Sequence, residues 1–366
     1  MKSPVPNAAG RMGLFRILYS LFSLWLCSYL HYGEMSLIPA EQWEPTLLLA
    51  WLNHPPYTVI PICEALLAAA LILLLVGYQT RVATFMIFLL GVCLTAIRIG
   101  LFMADHLFMI QYFYIPLFMI FSCWGDTYSI DSILRERQGK FIPQIRDPSW
   151  RYFWPSKGLL VIYALLMFSS AYSKVLEWDW ISNPNFVGNL IAIKTIGSYL
   201  DNGFPVNPIS IWISQQPWLY IPIQYGTLIF ETVSILILFS PVIRFLFFRI
   251  IPIFHFANTF LMGIPFATVI GIYLTFPDWQ MIYERFYPKA WCFTWLKRLS
   301  STTLISVAIL GAAFVGSTWN ILPLTRYIFS GFHLINFHMA WLVIFPFALA
   351  WGITSIYLES KRMLRL

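Results

Sequence analysis

Long apolar runs dominate the sequence and constrain the fold more than any single motif does. The hydrocarbon core of a bilayer is spanned by about 20 helical residues, and a helix satisfies all of its backbone hydrogen bonds internally. Only 11% of the residues are charged, against about 25% in soluble domains. The sequence therefore predicts an all-α, polytopic transmembrane helical bundle. About 9–10 spans are expected, and the apolar runs cover approximately 13–31, 59–77, 82–103, 107–124, 158–176, 219–240, 245–262, 264–277, 301–319 and 333–357.

The positions of the basic residues predict how the chain is oriented. With a cytoplasmic N-terminus, 18 of the 23 Lys and Arg residues fall on the cytoplasmic side, and only Lys194 and Arg326 fall on the outer side. This asymmetry follows the positive-inside rule and places the C-terminus in the cytoplasm as well. It also accounts for the net charge of +7 without a nucleic-acid partner. The connections 32–58 and 177–218 are expected outside, and the loop 125–157 inside.

Lys174 is the most informative polar residue, because it lies near the outer end of the predicted span 158–176. A charged group near the middle of a bilayer costs about 3 kcal/mol on insertion scales. Two interpretations have equal weight. Lys174 extends to the interface and pairs with Glu177, three residues along the helix, or it acts as a base, since a desolvated lysine gives up its proton readily.

Other polar side chains also lie in or beside the predicted spans. His255 and Asn258 are three residues apart and share a helix face, so the amide is placed to orient the imidazole. The alternative explanation is that His255 only packs against its neighbours and that the polar groups form hydrogen bonds between helices. Polar groups at such depth are rare and often functional. The remaining candidates share this position inside a span or at its end: Asp105, His106, Arg98, Glu64 and Glu231. No cysteine or histidine spacing predicts a metal site.

Five sequence segments, taken in order, resemble the HTTM family, the transmembrane module of vitamin K-dependent gamma-carboxylases and their bacterial relatives. The resemblance covers about residues 11 to 285. The segments are MGLFRILYSLFSLWL, VGYQTRVATFMIFLL, ADHLFMIQYFYIPLFMIFSCWGDTYSIDSILRER, SSAYSKVLEWDW and FHFANTFLMGI. The third contains a Tyr-Ser-x-Asp signature, the fourth the family lysine with a following Trp, and the fifth a Phe-His-x-x-Asn pattern.

The resemblance implies roles for three of the candidate residues. Lys174 would be the base that deprotonates a reduced quinone, a vitamin K hydroquinone-like cofactor, and His106 and His255 would match positions tied to activity. Asp105, Asn258, Glu231 and Arg98 would line the cavity for cofactor or substrate. In the family, the oxygenated hydroquinone abstracts a proton from a peptide glutamate, which then adds carbon dioxide. The expected class is a carboxylase-like lyase that modifies an exported peptide or lipid.

Two departures from the family pattern keep a second class of function open. The animal enzymes have a lysine pair where this chain has Ser173 and Lys174, and they continue into a large soluble domain. Here, residues 1–290 are expected to form the HTTM-like domain, and 291–366 an extension with two further spans. The alternative is a non-catalytic membrane subunit that binds lipid or a membrane protein partner, or assists maturation of an exported peptide. Either function implies a bacterial cytoplasmic membrane or, in a eukaryote, the endoplasmic reticulum.

Overall fold

The computed structural model describes residues 8–30, 32, 35, 38–54, 56–102, 110–140, 150–202, 206–262, 270–275 and 298–318, and its regular secondary structure in these ranges is helical. Asp105, His106 and the predicted span 333–357 lie outside these ranges. The α-helices are α1 (Ala8–Leu30), α2 (Val59–Val76), α3 (Thr80–Phe102), α4 (Ile115–Met119), α5 (Ile130–Arg137), α6 (Trp150–Leu176), α7 (Phe186–Asn202), α8 (Pro208–Ser214), α9 (Pro217–Val233), α10 (Pro241–Met262), α11 (Ile270–Tyr273) and α12 (Ser301–Thr318).

Five helical segments within these ranges are long and apolar enough to cross a membrane. They are Val59–Val76, Thr80–Leu101, Tyr152–Leu176, Pro217–Leu238 and Pro241–Met262. Each overlaps an apolar run that the sequence predicts as a span. The predicted span 107–124 differs, because its described part contains a five-residue π-helical turn, Ile110–Tyr114, followed by the short helix α4.

The chain divides into two compact units. Unit 1 comprises Met1–Leu159 and Thr268–His333, and unit 2 comprises Leu160–Ala267 and Leu334–Leu366. The predicted division at residue 290 follows the family resemblance, whereas the observed division follows packing. Unit 1 contains the buried cation Arg16, and unit 2 contains the largely buried cation Lys174.

A glycine and a carboxylate fix the turn between α2 and α3 in unit 1. Helix α2 ends at Gly77, whose φ of +74° is in the left-handed region that glycine adopts most easily. The carboxylate of Asp131 accepts hydrogen bonds from the backbone amides of Gln79 and Thr80, both 2.8 Å long, and from the Thr80 hydroxyl at 2.9 Å. An acidic group at a helix N-terminus satisfies amides that have no partner within the helix.

Helix α5 shows how the predicted cytoplasmic loop 125–157 is organised. Ser129 caps the helix by accepting a 2.8 Å hydrogen bond from the Ser132 amide. Ile130 and Ile133 then pack into an apolar cluster with Leu304 and Ala308 of α12. This part of the loop is therefore a packed element of unit 1.

Unit 2 contains two helices in the region 177–218, which the sequence predicts as a connection. Helix α7 follows α6, and Asn207 then caps α8 by accepting a 3.0 Å hydrogen bond from the Ile209 amide. The shared apolar core of this region consists of Trp180, Val187, Ile191, Tyr220 and Leu228. The region 177–218, although rich in Trp and Asn, therefore forms packed helices as well as turns.

Candidate functional site: a buried Lys174–Glu231 ion pair

Lys174 lies in the last turn of α6, and its ammonium group faces a carboxylate from α9. Its Nζ atom is 2.7 Å from Glu231 Oε2 and 2.8 Å from Oε1. Both side chains are largely buried, with 12% of the lysine and 6% of the glutamate exposed. This is a two-oxygen ion pair between two helices of unit 2, in surroundings where each charge alone would be expensive.

Ser170 completes the set of acceptors around the ammonium group. Its hydroxyl oxygen is 2.5 Å from Lys174 Nζ, one helical turn before it. A lysine ammonium has three donors, and Ser170 Oγ and the two Glu231 oxygens provide one acceptor for each. The number of acceptors therefore matches the number of lysine donors.

The predicted contact of Lys174 with Glu177 is wrong. Glu177 is exposed, and the partner of Lys174 is Glu231, 57 residues further along the chain. A glutamate three residues away was the only acid that helix geometry alone could suggest. Packing of α9 against α6 supplies a better one, with two oxygens and deeper burial.

Trp180 covers the pair, and α9 holds the segment that carries it. The Lys174 ammonium is 5.4 Å from the centroid of the Trp180 ring, within the range of a cation–π interaction. Gln224 of α9 is fully buried and donates to the carbonyls of Trp180, at 2.5 Å, and Asn183, at 2.9 Å. Because Glu231 is on the same buried stripe of α9 as Gln224, one helix face positions both the carboxylate and the ring.

His255 of α10 is the second predicted site residue that the structure places near this pair. It is 2% exposed, and Lys174 is close enough for its charge to act on the imidazole. Asn258 makes no hydrogen bond to His255 among the described contacts. The Thr259 hydroxyl instead donates to the His255 carbonyl at 2.9 Å. His255 therefore lies within electrostatic range of Lys174, and direct contact is described between Lys174 and Glu231.

The remaining predicted site residues are Arg98, Asp105 and His106. Arg98 belongs to α3 of unit 1, where Glu64 is also buried. Asp105 and His106 lie outside the described residues. Within the described ranges, no cluster of three His, Cys, Asp or Glu side chains is placed to hold a metal ion.

Sequence reasoning missed three contributors to the site: Ser170, Trp180 and Gln224. Ser170 had a usable signal, because it precedes Lys174 by one helical turn. Gln224 had one too, since it is polar within an apolar helix and seven residues before Glu231. Trp180 lies in the segment SSAYSKVLEWDW, but its place over the ion pair depends on how the chain turns after α6.

Comparison with family models, with curated proteins and with solved structures gives no match for this chain. The HTTM resemblance therefore stays a prediction, supported by the five sequence segments that suggested it. The geometry of the Lys174–Glu231 pair is independent of that resemblance.

Proposed function

We propose that unit 2 contains an intramembrane acid–base centre in which Lys174 and Glu231 act on a membrane-soluble substrate. The observation that carries the proposal is the close, two-oxygen contact between the lysine and the glutamate inside apolar helices. A buried ion pair adds little to stability compared with apolar side chains of similar size. Charged groups at such depth more often serve a proton or substrate pathway.

The 2.7 Å contact provides a route for the proton that the lysine must lose before it can act as a base. Movement of one proton from Nζ to Oε2 converts the ion pair to a neutral amine and a neutral carboxylic acid. The amine can then accept a proton from an acidic hydroxyl of the substrate, and Glu231 retains the first proton. A low-dielectric environment favours this exchange because it penalises separated charges.

A reduced quinone is the substrate or cofactor that best suits this centre. It dissolves in the membrane and has phenolic hydroxyl groups that a neutral amine can deprotonate. We also propose that the chain crosses the membrane about 9–10 times, with both termini in the cytoplasm. Lys174 would then act near the outer face, on an exported peptide or lipid. A multi-pass protein of the bacterial cytoplasmic membrane, or of the endoplasmic reticulum, fits this arrangement.

The test uses purified protein in lipid nanodiscs, with a short-chain menaquinol as the probe and dissolved oxygen as the oxidant. We expect quinol turnover by the unmodified protein and its loss in K174M, which has no basic group, and in K174R, whose guanidinium does not give up its proton. The matched control is K194M, because Lys194 is an exposed lysine of α7 in the same unit. Full turnover by K174R would show that the charge, and not a base, is required.

A second candidate function is a non-catalytic subunit that binds lipid or a protein partner. The observation that favours it is the complete set of acceptors around Lys174, which suits a permanent link between α6 and α9. Gentle purification followed by lipid extraction separates the two functions. A stoichiometric quinone supports the acid–base centre, and a stoichiometric protein partner without quinone supports the subunit.

A further inference from the structure

Helices α7 and α8 of unit 2 form a surface that is separate from the buried ion pair. They connect two candidate membrane spans, those of α6 and α9. Residues 186–202 and 207–214, which comprise α7 and α8 with the cap of α8, are together called the platform. The spans of α9 and α10 form a hairpin, in which the Phe230 and Phe247 rings stack with their centroids 4.7 Å apart. The platform lies at the end of this hairpin where α9 begins and α10 ends.

The first turn of α7 is fixed to the first turns of α9. The Tyr220 hydroxyl donates to Asn185 Oδ1 at 2.8 Å, and the Val187 amide donates to Gln224 Oε1 at 3.1 Å. Gly188 allows a close approach, because a Cβ atom there would lie 2.9 Å from the Tyr220 ring. The beginning of α7 therefore lies beside the residues at which α9 begins.

The middle of α7 is attached to a different helix, at the end of α10. Thr195 is 6% exposed, and its hydroxyl donates to the Leu261 carbonyl at 3.2 Å. From Val187 to Thr195 the helix rises by about 12 Å, which is close to the distance of about 8–10 Å between the axes of two packed helices. Helix α7 therefore crosses from α9 to α10 and does not run parallel to them.

Helix α8 and its cap are attached to the same end of α10. Asn207 Nδ2 donates to the Phe260 carbonyl at 2.9 Å, and the buried Ser210 hydroxyl donates to the same carbonyl at 3.4 Å. The last four carbonyls of a helix have no partner within it and are often satisfied by water. Side chains of the platform supply hydrogen bonds to two of these carbonyls, those of Phe260 and Leu261. This arrangement suits a helix end at which water is scarce.

The face of α7 that points away from the protein is apolar. Ile193, Ile196 and Leu200 are 65%, 46% and 73% exposed, and helical spacing puts all three opposite the buried Ile191. A helix on the surface of a soluble protein carries polar side chains on that face. Among the side chains that the structure describes on the platform, Lys194 is the only charged one. A hydrophobic environment therefore suits this face better than water does.

The same apolar surface continues onto the exposed side of α9. Ile209 and Trp212 of α8 are 49% and 50% exposed, and the Trp212 ring meets the Trp218 ring edge to face, with centroids 6.4 Å apart. Trp218, Tyr225 and Ile229 follow helical spacing along one face of α9, and all three are exposed. Lipid is expected along that face of a membrane span. Tryptophan is enriched at the boundary between lipid and water, so the platform adjoins the lipid at this boundary.

We propose that the platform is an interfacial membrane anchor that binds the phospholipids of the leaflet in which α9 begins. Ile193, Ile196 and Leu200 lie among the acyl chains, and the long stem of Lys194 lets its ammonium group reach the phosphates. Amphipathic helices of this kind lie in the plane of the interface, with the apolar face about 5–10 Å into the boundary between headgroups and acyl chains. This anchor does not depend on the proposed function of Lys174.

The test places a nitroxide spin label at single cysteines of the full chain in phospholipid nanodiscs. The five natural cysteines are first replaced by Ala, and gel filtration confirms that each labelled variant is folded. The variants are I193C, I196C and L200C, with I229C as the reference for lipid and Q138C as the reference for water. All five positions are exposed, and Gln138 lies at the end of the charged helix α5. Electron paramagnetic resonance measures collisions of each label with O₂, which concentrates in hydrocarbon, and with NiEDDA, which stays in water.

The anchor predicts that the labels on the apolar face of α7 behave as the I229C label does. They should collide with O₂ as readily as that label and with NiEDDA about tenfold less often than the Q138C label, since a polar complex is excluded from hydrocarbon. NiEDDA collisions as frequent as those at Q138C would place the face in water and overturn the proposal. Few collisions with either reagent would show that a second copy of this chain covers the face, which would also overturn it.

K194C is the matched control within α7. Lys194 directly follows Ile193 in the sequence, is also exposed, and lies on a different side of the helix. The K194C label should collide with NiEDDA about threefold more often than the I193C label, because it would lie among the headgroups. Equal collision rates at the two positions would mean that no side of α7 faces lipid, and the anchor would be wrong.

Discussion

Arg16 in unit 1 and Lys174 in unit 2 are both long cations buried among apolar helices, yet they are stabilised in different ways. Arg16 donates to a backbone carbonyl, that of Tyr128, while its Nε and Nη1 atoms have no hydrogen-bond partner among the described residues. Lys174 instead meets both oxygens of a carboxylate and a serine hydroxyl. Burial alone therefore does not distinguish a structural cation from a candidate catalytic one.

The groups around each cation explain the difference. Arg16 lies against Gly77 and near Asp131, and the Asp131 carboxylate is already committed to the first turn of α3. That arrangement locks a turn between two helices. Among the described residues, the Glu231 carboxylate accepts from side chains, Lys174 and Ser170, and not from a backbone amide. Apolar side chains could therefore replace the ion pair without loss of stability, so function explains the presence of the two charges better than stability does.

The largest loss of stability is expected when only one member of the Lys174–Glu231 ion pair is replaced. E231Q leaves the Lys174 ammonium buried without a counter-charge, and we expect the free energy of unfolding to fall by about 3–5 kcal/mol. Titration with SDS in mixed micelles, followed by Trp fluorescence, measures the change. K174M should give a loss of the same order, because it leaves the carboxylate alone.

The double variant K174M/E231L is the control for this prediction. Removing both charges should restore stability to within about 1 kcal/mol of the unmodified protein, since apolar side chains replace a buried pair without penalty. The corresponding double variant R16M/D131L should not recover, because Asp131 also caps α3. Recovery of both doubles, or of neither, would contradict the distinction between the two cations.

A smaller effect is expected when the turn that encloses Arg16 is disturbed. In G77A, the new Cβ atom would lie 1.7 Å from Arg16 Nη1 and 2.3 Å from Ser129 Cβ, at a φ of +74°. Left-handed backbone costs a residue with a Cβ atom about 1–2 kcal/mol, and displacement of the guanidinium raises the expected loss to about 3 kcal/mol. The same SDS titration measures it.

G139A separates backbone strain from the contact with Arg16. Gly139 also has a positive φ, +65°, but a Cβ atom there would meet nothing within 4 Å. We expect a loss of only about 1 kcal/mol. If G139A is as destabilised as G77A, strain alone explains the requirement for glycine, and the contact with Arg16 contributes nothing.

The smallest effect concerns the serine that completes the Lys174 site. S170A removes one acceptor from the ammonium group but leaves both carboxylate oxygens, so a loss of about 1 kcal/mol is expected. S173A is the matched control on the same helix, and a change within about 0.5 kcal/mol is expected there. Equal losses in the two variants would mean that Ser170 is not part of the site.

The helices of both units follow closely from the apolar runs. The predicted span 59–77 is α2, and the predicted span 301–319 is α12, because apolar length and the flanking breakers are local properties of the sequence. The predicted span 158–176 is the C-terminal part of α6, which begins earlier, at Trp150. Helices α7 and α8 were missed because their polar and aromatic residues do not form an uninterrupted apolar run.

The sequence by itself determined the helical secondary structure of the described residues, the apolar helices and the unusual position of Lys174, since each depends on residues close together along the chain. Only the tertiary structure decided that Glu231, and not Glu177, is the partner of Lys174, and that Gln111 turns towards Ser23. The physical reason is the same in both cases. A buried charge or amide is satisfied by whichever group packing brings within hydrogen-bond distance, and these groups lie 57 and 88 residues away along the chain.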